Sequence, residues 1–419
     1  MARVLLVTPA YPPLPGGGER YAGSLARELV ALGEEVTVVT SAATAEADLW
    51  RGAGDGTSER IEDGARVIRC PVRPFPGGRT GLMAWRKGMV VLSAAPGDQS
   101  APLARMARAV PRLDGLEPVL NSLPPPDVVH AFNLSWESGI LAAADLARRR
   151  SLPLALTPFA HFGAGAGDRV ALNSTMDHQL AVLRAADRVL VLTEVERREL
   201  IDLGVAANRL VVVDSGSDPL PDGWEASAYG RAGASPEPYA VFVGRASADK
   251  GALHAVEATL DLRRAGCGLS LVLVGSTTTE FDRLLGGLNR EERQAIRPLG
   301  LLAEADKHAV ISRSRMLLLP SRSDSFGIVL LEAWAHGLPV IGARAGGIPA
   351  VIDAEENGLL VDYGDAAGLA AAMKRLLDDT GLATRLGEHG RAKLGRRYTW
   401  PGVARRVRAA YREMTGSAG

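Results

Sequence analysis

Pro320-Ser321-Arg322-Ser323-Asp324-Ser325-Phe326-Gly327, followed by an apolar run that carries Glu332 and closes on Gly337-Leu338-Pro339, decides how this chain is to be read. Met316 to Pro320 is a short apolar run that stops at turn-forming residues, the pattern of a buried strand. The residues after it predict a helix starting near Ser325, so a strand runs into a helix whose first amides form an anion site. Glu332 then lies inside that helix, where a carboxylate can accept hydrogen bonds from ribose hydroxyls, and Asp324 sits at the lip. The same residues fit plainer roles: Asp324 as an N-cap, Glu332 on a solvated face.

Working outward, strand-like runs recur at Tyr239 to Val243, Leu269 to Val274 and Pro339 to Ala343, with helix-patterned segments between them. That rhythm predicts a Rossmann-like α/β domain over residues 219–399. Gly244-Arg245 ends the first of these strands, and Lys250-Gly251 opens the helix after it. Ligands of open parallel sheets bind beyond the carboxyl ends of the strands, so two cations placed there can face a diphosphate, although isolated surface cations are often only solvated.

The first half repeats the pattern at Arg3 to Thr8, Val36 to Thr40, Asp127 to Ala131, Pro153 to Pro158, Arg188 to Leu192 and Leu210 to Val213, which predicts a second Rossmann-like domain over residues 1–218. Gly16-Gly17-Gly18 follows the first strand and opens a helix; bare backbone there can approach an anion, and it equally suits a flexible turn. His161 and His130 each fall near the end of a strand-like run, the active edge of such a sheet. Gly, Pro, Ser and Asp dominate Ser215 to Pro238, the composition of a linker.

With 48 basic and 48 acidic residues the formal charge is zero, which excludes a global field for nucleic acid or an anionic membrane. At 419 residues and 47% apolar content the chain exceeds one ordinary core and can fill two. Cys70 and Cys267 lie far apart, as expected of a reduced compartment. The apolar run at the start is too short for a secretion signal, and no stretch reaches the roughly 18 apolar residues of a membrane span. A cytoplasmic protein is expected. Leu103, Met106, Ala107 and Val110 interleave with Arg105, Arg108 and Arg112, which fits either a solvated helix or a basic face for peripheral contact with the inner membrane surface.

Taken in order and spacing, these motifs resemble family 4 of the retaining glycosyltransferases, which have the GT-B fold: two facing Rossmann-like domains with parallel sheets and an interdomain cleft. The resemblance rests on Pro12-Pro13 to Glu19, Ala186-Asp187-Arg188-Val189, Ser215-Gly216-Ser217-Asp218, Val243-Gly244-Arg245 with Lys250-Gly251, Pro320 to Ala333, and Gly337-Leu338-Pro339-Val340. It implies that the N-terminal domain binds acceptor, that the C-terminal domain binds a nucleotide sugar, and that a helix over 400–414 returns to the N-terminal domain. Donor contacts are implied for Gly17, Gly18, Arg245, Lys250, Ser325, Phe326, Gly327 and Glu332, with His161 and Asp324 as catalytic residues.

The family's signature is two glutamates separated by seven residues; here Asp324 replaces the first, with a reach shorter by about 1.5 Å. No Asp-x-Asp pair occurs in the sequence, so no metal and no cofactor is expected beyond the nucleotide-diphosphate sugar, a UDP- or GDP-sugar, as co-substrate. The acceptor class is a small molecule, a glycan or a lipid-linked hydroxyl, read by loops within Ala43 to Gln99. A nucleotide-sugar epimerase and a non-catalytic nucleotide-sugar binding protein share the fold and remain as alternatives.

Overall fold

A computed structural model describes residues 1–163, 168, 170–229 and 234–416. They form two compact units. One holds Met1–Phe162, the described residues from 168 to 216 and the C-terminal helix Trp400–Thr415; the other holds Gly163 and Ser217–Thr399.

The first unit is built on β1 (Arg3–Val7), β2 (Glu35–Ser41), β3 (Ser58–Glu62), β4 (Ala65–Cys70), β5 (Val128–Phe132), β6 (Leu154–Thr157), β7 (Arg188–Val191) and β8 (Leu210–Val212), in the sheet order β3-β4-β2-β1-β5-β6-β7-β8. All pairs are parallel except β3 with β4, a hairpin closed by Asp63-Gly64, both at positive φ. Central strands such as β5 and β6 are buried along their whole length, because helices cover both faces of a parallel sheet. Leu5, Val7, Val129, Leu156 and Val189 meet Ile140, Leu146, Leu183 and Leu200 in its main core.

The second unit carries β9 (Tyr239–Val243), β10 (Ser270–Val274), β11 (Ile296–Pro298), β12 (Met316–Leu319), β13 (Val340–Ala343) and β14 (Leu359–Val361), ordered β11-β10-β9-β12-β13-β14 and parallel throughout. Numbered within the unit this is 3-2-1-4-5-6, the doubly wound order whose direction reverses between its first and fourth strands. That reversal opens a crevice at the carboxyl ends of β9 and β12. Phe242, Leu271, Leu318 and Ile341 form its core with Val256, Leu369, Met373 and Leu386.

Two expectations are revised here, and a third is decided between its alternatives. Residues 43–99 are not mainly loop: they contain the β3–β4 hairpin and the helix Gly78–Ser93. The segment from Ser215 is no open linker, since Ser217 bridges Thr399 and Trp224 packs edge-on against His336 with centroids 4.8 Å apart; residues 230–233 lie outside the described residues. The basic amphipathic pattern matches the solvated-helix alternative, with its apolar face inward and Arg105 and Arg108 exposed. Its helix, Ser100–Ala107, buries Leu103 and Ala107 against Met89, Leu141 and Met176, while Arg108 pairs with Asp145 and Arg112 donates to the Pro74 carbonyl. No described helix is long and apolar enough to cross a membrane.

The C-terminal helix is fixed to the first unit by its own side chains. Trp400 packs on Tyr21 at 5.2 Å, and Gly216 lies beneath its indole so closely that a Cβ would stand 2.5 Å from the ring. Arg406 donates twice to the Val213 carbonyl, at 3.0 and 2.9 Å, and pairs with Asp214. Tyr411 meets His130, which is fully buried in β5 with Nδ1 2.7 Å from the Tyr411 hydroxyl and Nε2 2.8 Å from Thr157 Oγ1. His130 is therefore a tie between β5, β6 and this helix, with both ring nitrogens engaged.

Burial pushes the His130 imidazole down from 6.5 to about 3. The unfolded chain takes up that proton first, so stability present above pH 6.5 is lost as pH falls toward 3. We expect this residue to cost the first unit about 1.4 kcal/mol per pH unit across that window. His130→Gln, which keeps a donor and an acceptor, should flatten the decline when urea unfolding is followed at stepped pH; an unchanged slope would show that other groups set it.

Candidate active site

In the second unit the site residues are assembled by close backbone contact. Gly251 has φ +75 and caps the helix Ala252–Arg264, and a Cβ on it would stand 1.9 Å from the Pro320 carbonyl oxygen. Only glycine satisfies both the left-handed backbone and the approach. The helix start thus abuts the end of β12, and the two loops are stitched together by the Arg322 N–H, which donates to the Asp249 carbonyl at 2.8 Å; from the segment after β14 the Tyr363 hydroxyl donates to the Ala248 carbonyl at 3.1 Å.

This contact brings Lys250 to Asp324 across 74 residues of sequence, with Nζ 2.9 Å from Oδ2. Both side chains are partly buried, at 28% and 21% exposure, so the pair stays open to an incoming anion. Arg245 is exposed just past β9 on the same edge. Behind Asp324 lies a feature the sequence reading passed over: Gly346-Gly347, after β13, presses on the Asp324–Ser325 backbone. Cβ atoms there would stand 2.4 Å and 2.0 Å from the two carbonyl oxygens, and the Gly347 N–H donates to Asp324 at 2.7 Å. A Gly-Gly pair directly after a strand was the available signal.

The helix after β12 starts later than expected. It spans Ile328–Ala335 with Gly327 at φ +83 as its cap, so Asp324 is not its N-cap. Phe326 turns into the core, 2% exposed and edge-on to Tyr398, which leaves only its backbone toward the crevice; Ser325 is half-buried. Glu332 is not on a solvated face either. It is 5% exposed, and its Oε1 accepts from Lys307 Nζ at 2.9 Å, while Lys307 also pairs with Glu304 at 2.8 Å.

Lys307 was invisible to sequence reasoning, since nothing local marks a lysine that neutralises a carboxylate 25 residues away. Next to it, His308 Nδ1 lies 3.0 Å from His336 Nε2, and burial together with His308 pulls His336 down to about 4. Glu304, His308 and Glu332 offer ligand atoms within 4.8 Å of one another. A divalent cation could use them only by displacing the Lys307 ammonium, which already supplies positive charge to both carboxylates.

In the first unit the helix Gly17–Ala31 follows β1, with Gly17 exposed at its first position and Gly18 half-buried. A Cβ on Gly18 would stand 3.2 Å from the Phe159 ring. Phe159 begins the turn after β6 that leads to His161, which is half-buried and donates its N–H to Ser174 Oγ at 3.2 Å. The glycine loop and the histidine turn are thus packed together through one aromatic ring.

Two family models match the chain: Glycosyl transferase 4-like domain over residues 16–216 and Glycosyl transferases group 1 over residues 231–393. The chain belongs to the family 4 glycosyltransferases. It is 28% identical to a glycogen synthase of Mycobacterium tuberculosis, over 98% of this chain and 94% of that one. It is 29% identical to a D-inositol 3-phosphate glycosyltransferase of Acidothermus cellulolyticus, over 95% and 86%. Among solved structures it superposes on a sucrose-phosphate synthase of Thermosynechococcus elongatus with a TM-score of 0.71, at 20% identity and 100% coverage of both chains. This glycosyltransferase has the GT-B fold and is an enzyme.

The close contact at Gly251 should carry more stability than the ion pair beside it. Gly251→Ala is expected to cost about 2–4 kcal/mol, from strained backbone plus the clash with Pro320. Asp324→Asn should cost about 1 kcal/mol or less, as befits a partly exposed pair. Urea midpoints of the two variants check the order, and a larger loss in Asp324→Asn would reverse it.

Proposed function

We propose that this enzyme transfers a sugar from a UDP- or GDP-sugar to a hydroxyl acceptor, with retention at the anomeric carbon and without a metal. What carries the reading is the convergence of Arg245, Lys250 and the Asp324–Gly327 backbone at the reversal point of the second sheet, beside the buried Glu332. Two cations and backbone amides at the carboxyl ends of parallel strands suit a diphosphate, and a fixed carboxylate beyond them suits ribose.

In this reading Lys250 and Arg245 stabilise the charge that grows on the departing diphosphate, which is electrostatic catalysis by groups already in place. Asp324 meets donor-sugar hydroxyls and favours positive charge near the anomeric carbon. Glu332, oriented by Lys307, accepts from the ribose. Gly17 and Gly18 leave the first unit's loop bare enough to approach the donor, and His161 lies near the transferred sugar. The acceptor hydroxyl attacks from the face the diphosphate leaves, through an oxocarbenium-like state, as the bond from the anomeric carbon to the diphosphate oxygen breaks and the departing diphosphate takes up the hydroxyl proton. The acceptor itself, a small molecule, a glycan or a lipid-linked hydroxyl, is assigned to the first unit.

Calorimetry with UDP and GDP should show binding that Lys250→Ala or Arg245→Ala weakens by about 10-fold or more, since each removes a charge-assisted contact. Unchanged affinity would remove the diphosphate from this place. Turnover should survive strong chelation, and loss restored by a divalent ion would contradict the metal-free mechanism. Donor consumed with no acceptor present and returned as an epimer would identify an epimerase instead.

A further inference from the structure

Phe159 has φ +49, a backbone region that aromatic residues seldom occupy and that persists only where the surroundings enforce it. Its ring is held by Tyr21, edge-on at 5.3 Å, and by Phe132, stacked at 6.2 Å. The backbone immediately after it is held by something else. The Ala160 N–H donates to Glu196 Oε1 at 2.9 Å, and the Leu192 N–H donates to Glu196 Oε2 at 2.8 Å. One carboxylate therefore ties the turn after β6 to the end of β7.

This is not the geometry that the local sequence would give. Thr193-x-x-Glu196 is a capping-box pattern, in which the glutamate returns to the N–H of the capping threonine. Thr193 does its half, accepting the Glu196 N–H at 3.1 Å. The carboxylate instead reaches one residue further back, to Leu192, and across to the neighbouring strand's turn. It is 3% exposed, and no lysine or arginine among the described residues pairs with it. Burial pushes it up to about 7 despite the two N–H bonds. A helix cap needs no buried carboxylate, so its placement points to the turn that it holds.

We propose that Glu196 is a positioning residue for His161: by accepting the Ala160 N–H it fixes the turn that presents the imidazole. The inference rests on the reading of His161 as the active-site histidine. Glu196 acts through the backbone next to His161 and makes no contact with substrate. Gly18 belongs to the same assembly, because a bare α-carbon beneath the Phe159 ring lets the turn and the glycine loop settle against each other.

Glu196→Gln keeps the side chain's size but offers one acceptor oxygen and turns an NH2 toward the other N–H. In the full chain, hydrogen exchange at the Ala160 amide should become at least ~10-fold faster in this variant, and an unchanged rate overturns the tie. Nucleotide release would be followed with UDP-glucose, GDP-mannose and ADP-glucose in the presence of acceptor mixtures. Glu196→Gln should lower kcat by about 10-fold or more and change donor KM much less, because the proposed donor contacts of the second unit are untouched. The deciding measurement is the cycle with His161→Ala. If Glu196 works through His161, adding Glu196→Gln to His161→Ala changes kcat less than 2-fold, roughly, whereas independent effects would multiply and overturn the proposal. Wild-type turnover in His161→Ala alone would instead sink the reading of His161, and the proposal with it.

Discussion

The second unit is organised by one forbidden volume: there is no room for a side chain between residue 251 and the carbonyl of Pro320. A Cβ at 1.9 Å from that oxygen is impossible, so glycine there lets a helix start lie directly on a strand end. From that contact follow the hydrogen bond from Arg322 to Asp249, the pairing of Lys250 with Asp324, and the orientation of the loop that runs to Gly327. Gly346 and Gly347 repeat the device further along the same loop, where they press on the backbone of Asp324 and Ser325. The backbone of this candidate site is thereby made rigid, and a ligand bound there need not order it.

What the sequence made legible was whatever local pattern dictates. Uniformly apolar runs bounded by turns located ten strands and the doubly wound rhythm, and Gly251, Arg245 and Lys250 stood out because they occupy the strand-to-helix joints where ligands bind. The β3–β4 hairpin was missed although Asp63-Gly64 between alternating residues is a strong turn signal. The late helix start after β12 was hidden because φ +83 at Gly327 depends on packing, with Leu319 filling the space a Cβ would need. Lys307 with Glu332, and Glu196 with Ala160, are contacts over 25 and 36 residues, and no period or spacing encodes them. Distant pairing of ordinary charged residues is the part of a site that a single sequence conceals.

The C-terminal helix shows the same limit from another side. Its amphipathic pattern is plain, but its partners are read only in three dimensions: Trp400 over Gly216, Arg406 on the Val213 carbonyl, Tyr411 on His130. His130 looked like a site candidate because it lies near a strand end, yet both of its nitrogens are already engaged within the core. His161 differs in being half-buried at the head of a turn whose geometry is enforced from three directions. Strain and constraint separate the two histidines where sequence position could not.

The two carboxylates of the family's signature are treated alike in charge and differently in access. Each is met by one lysine at 2.9 Å, but Glu332 with Lys307 is nearly closed to solvent, whereas Asp324 and Lys250 are 21% and 28% exposed. A closed pair is hard to disrupt, because removing either partner strands the other's charge in a medium of low dielectric constant. An open pair is exchangeable: the diphosphate proposed above would compete for Lys250 with little desolvation still to be met. The shorter side chain at position 324 fits this division. An aspartate keeps its carboxylate close to the backbone clasped by Gly346 and Gly347, within reach of Lys250, and leaves the space that one more methylene would fill. The fixed pair is thus closed to solvent and the exchangeable pair open to it, the order that suits the anionic donor proposed above.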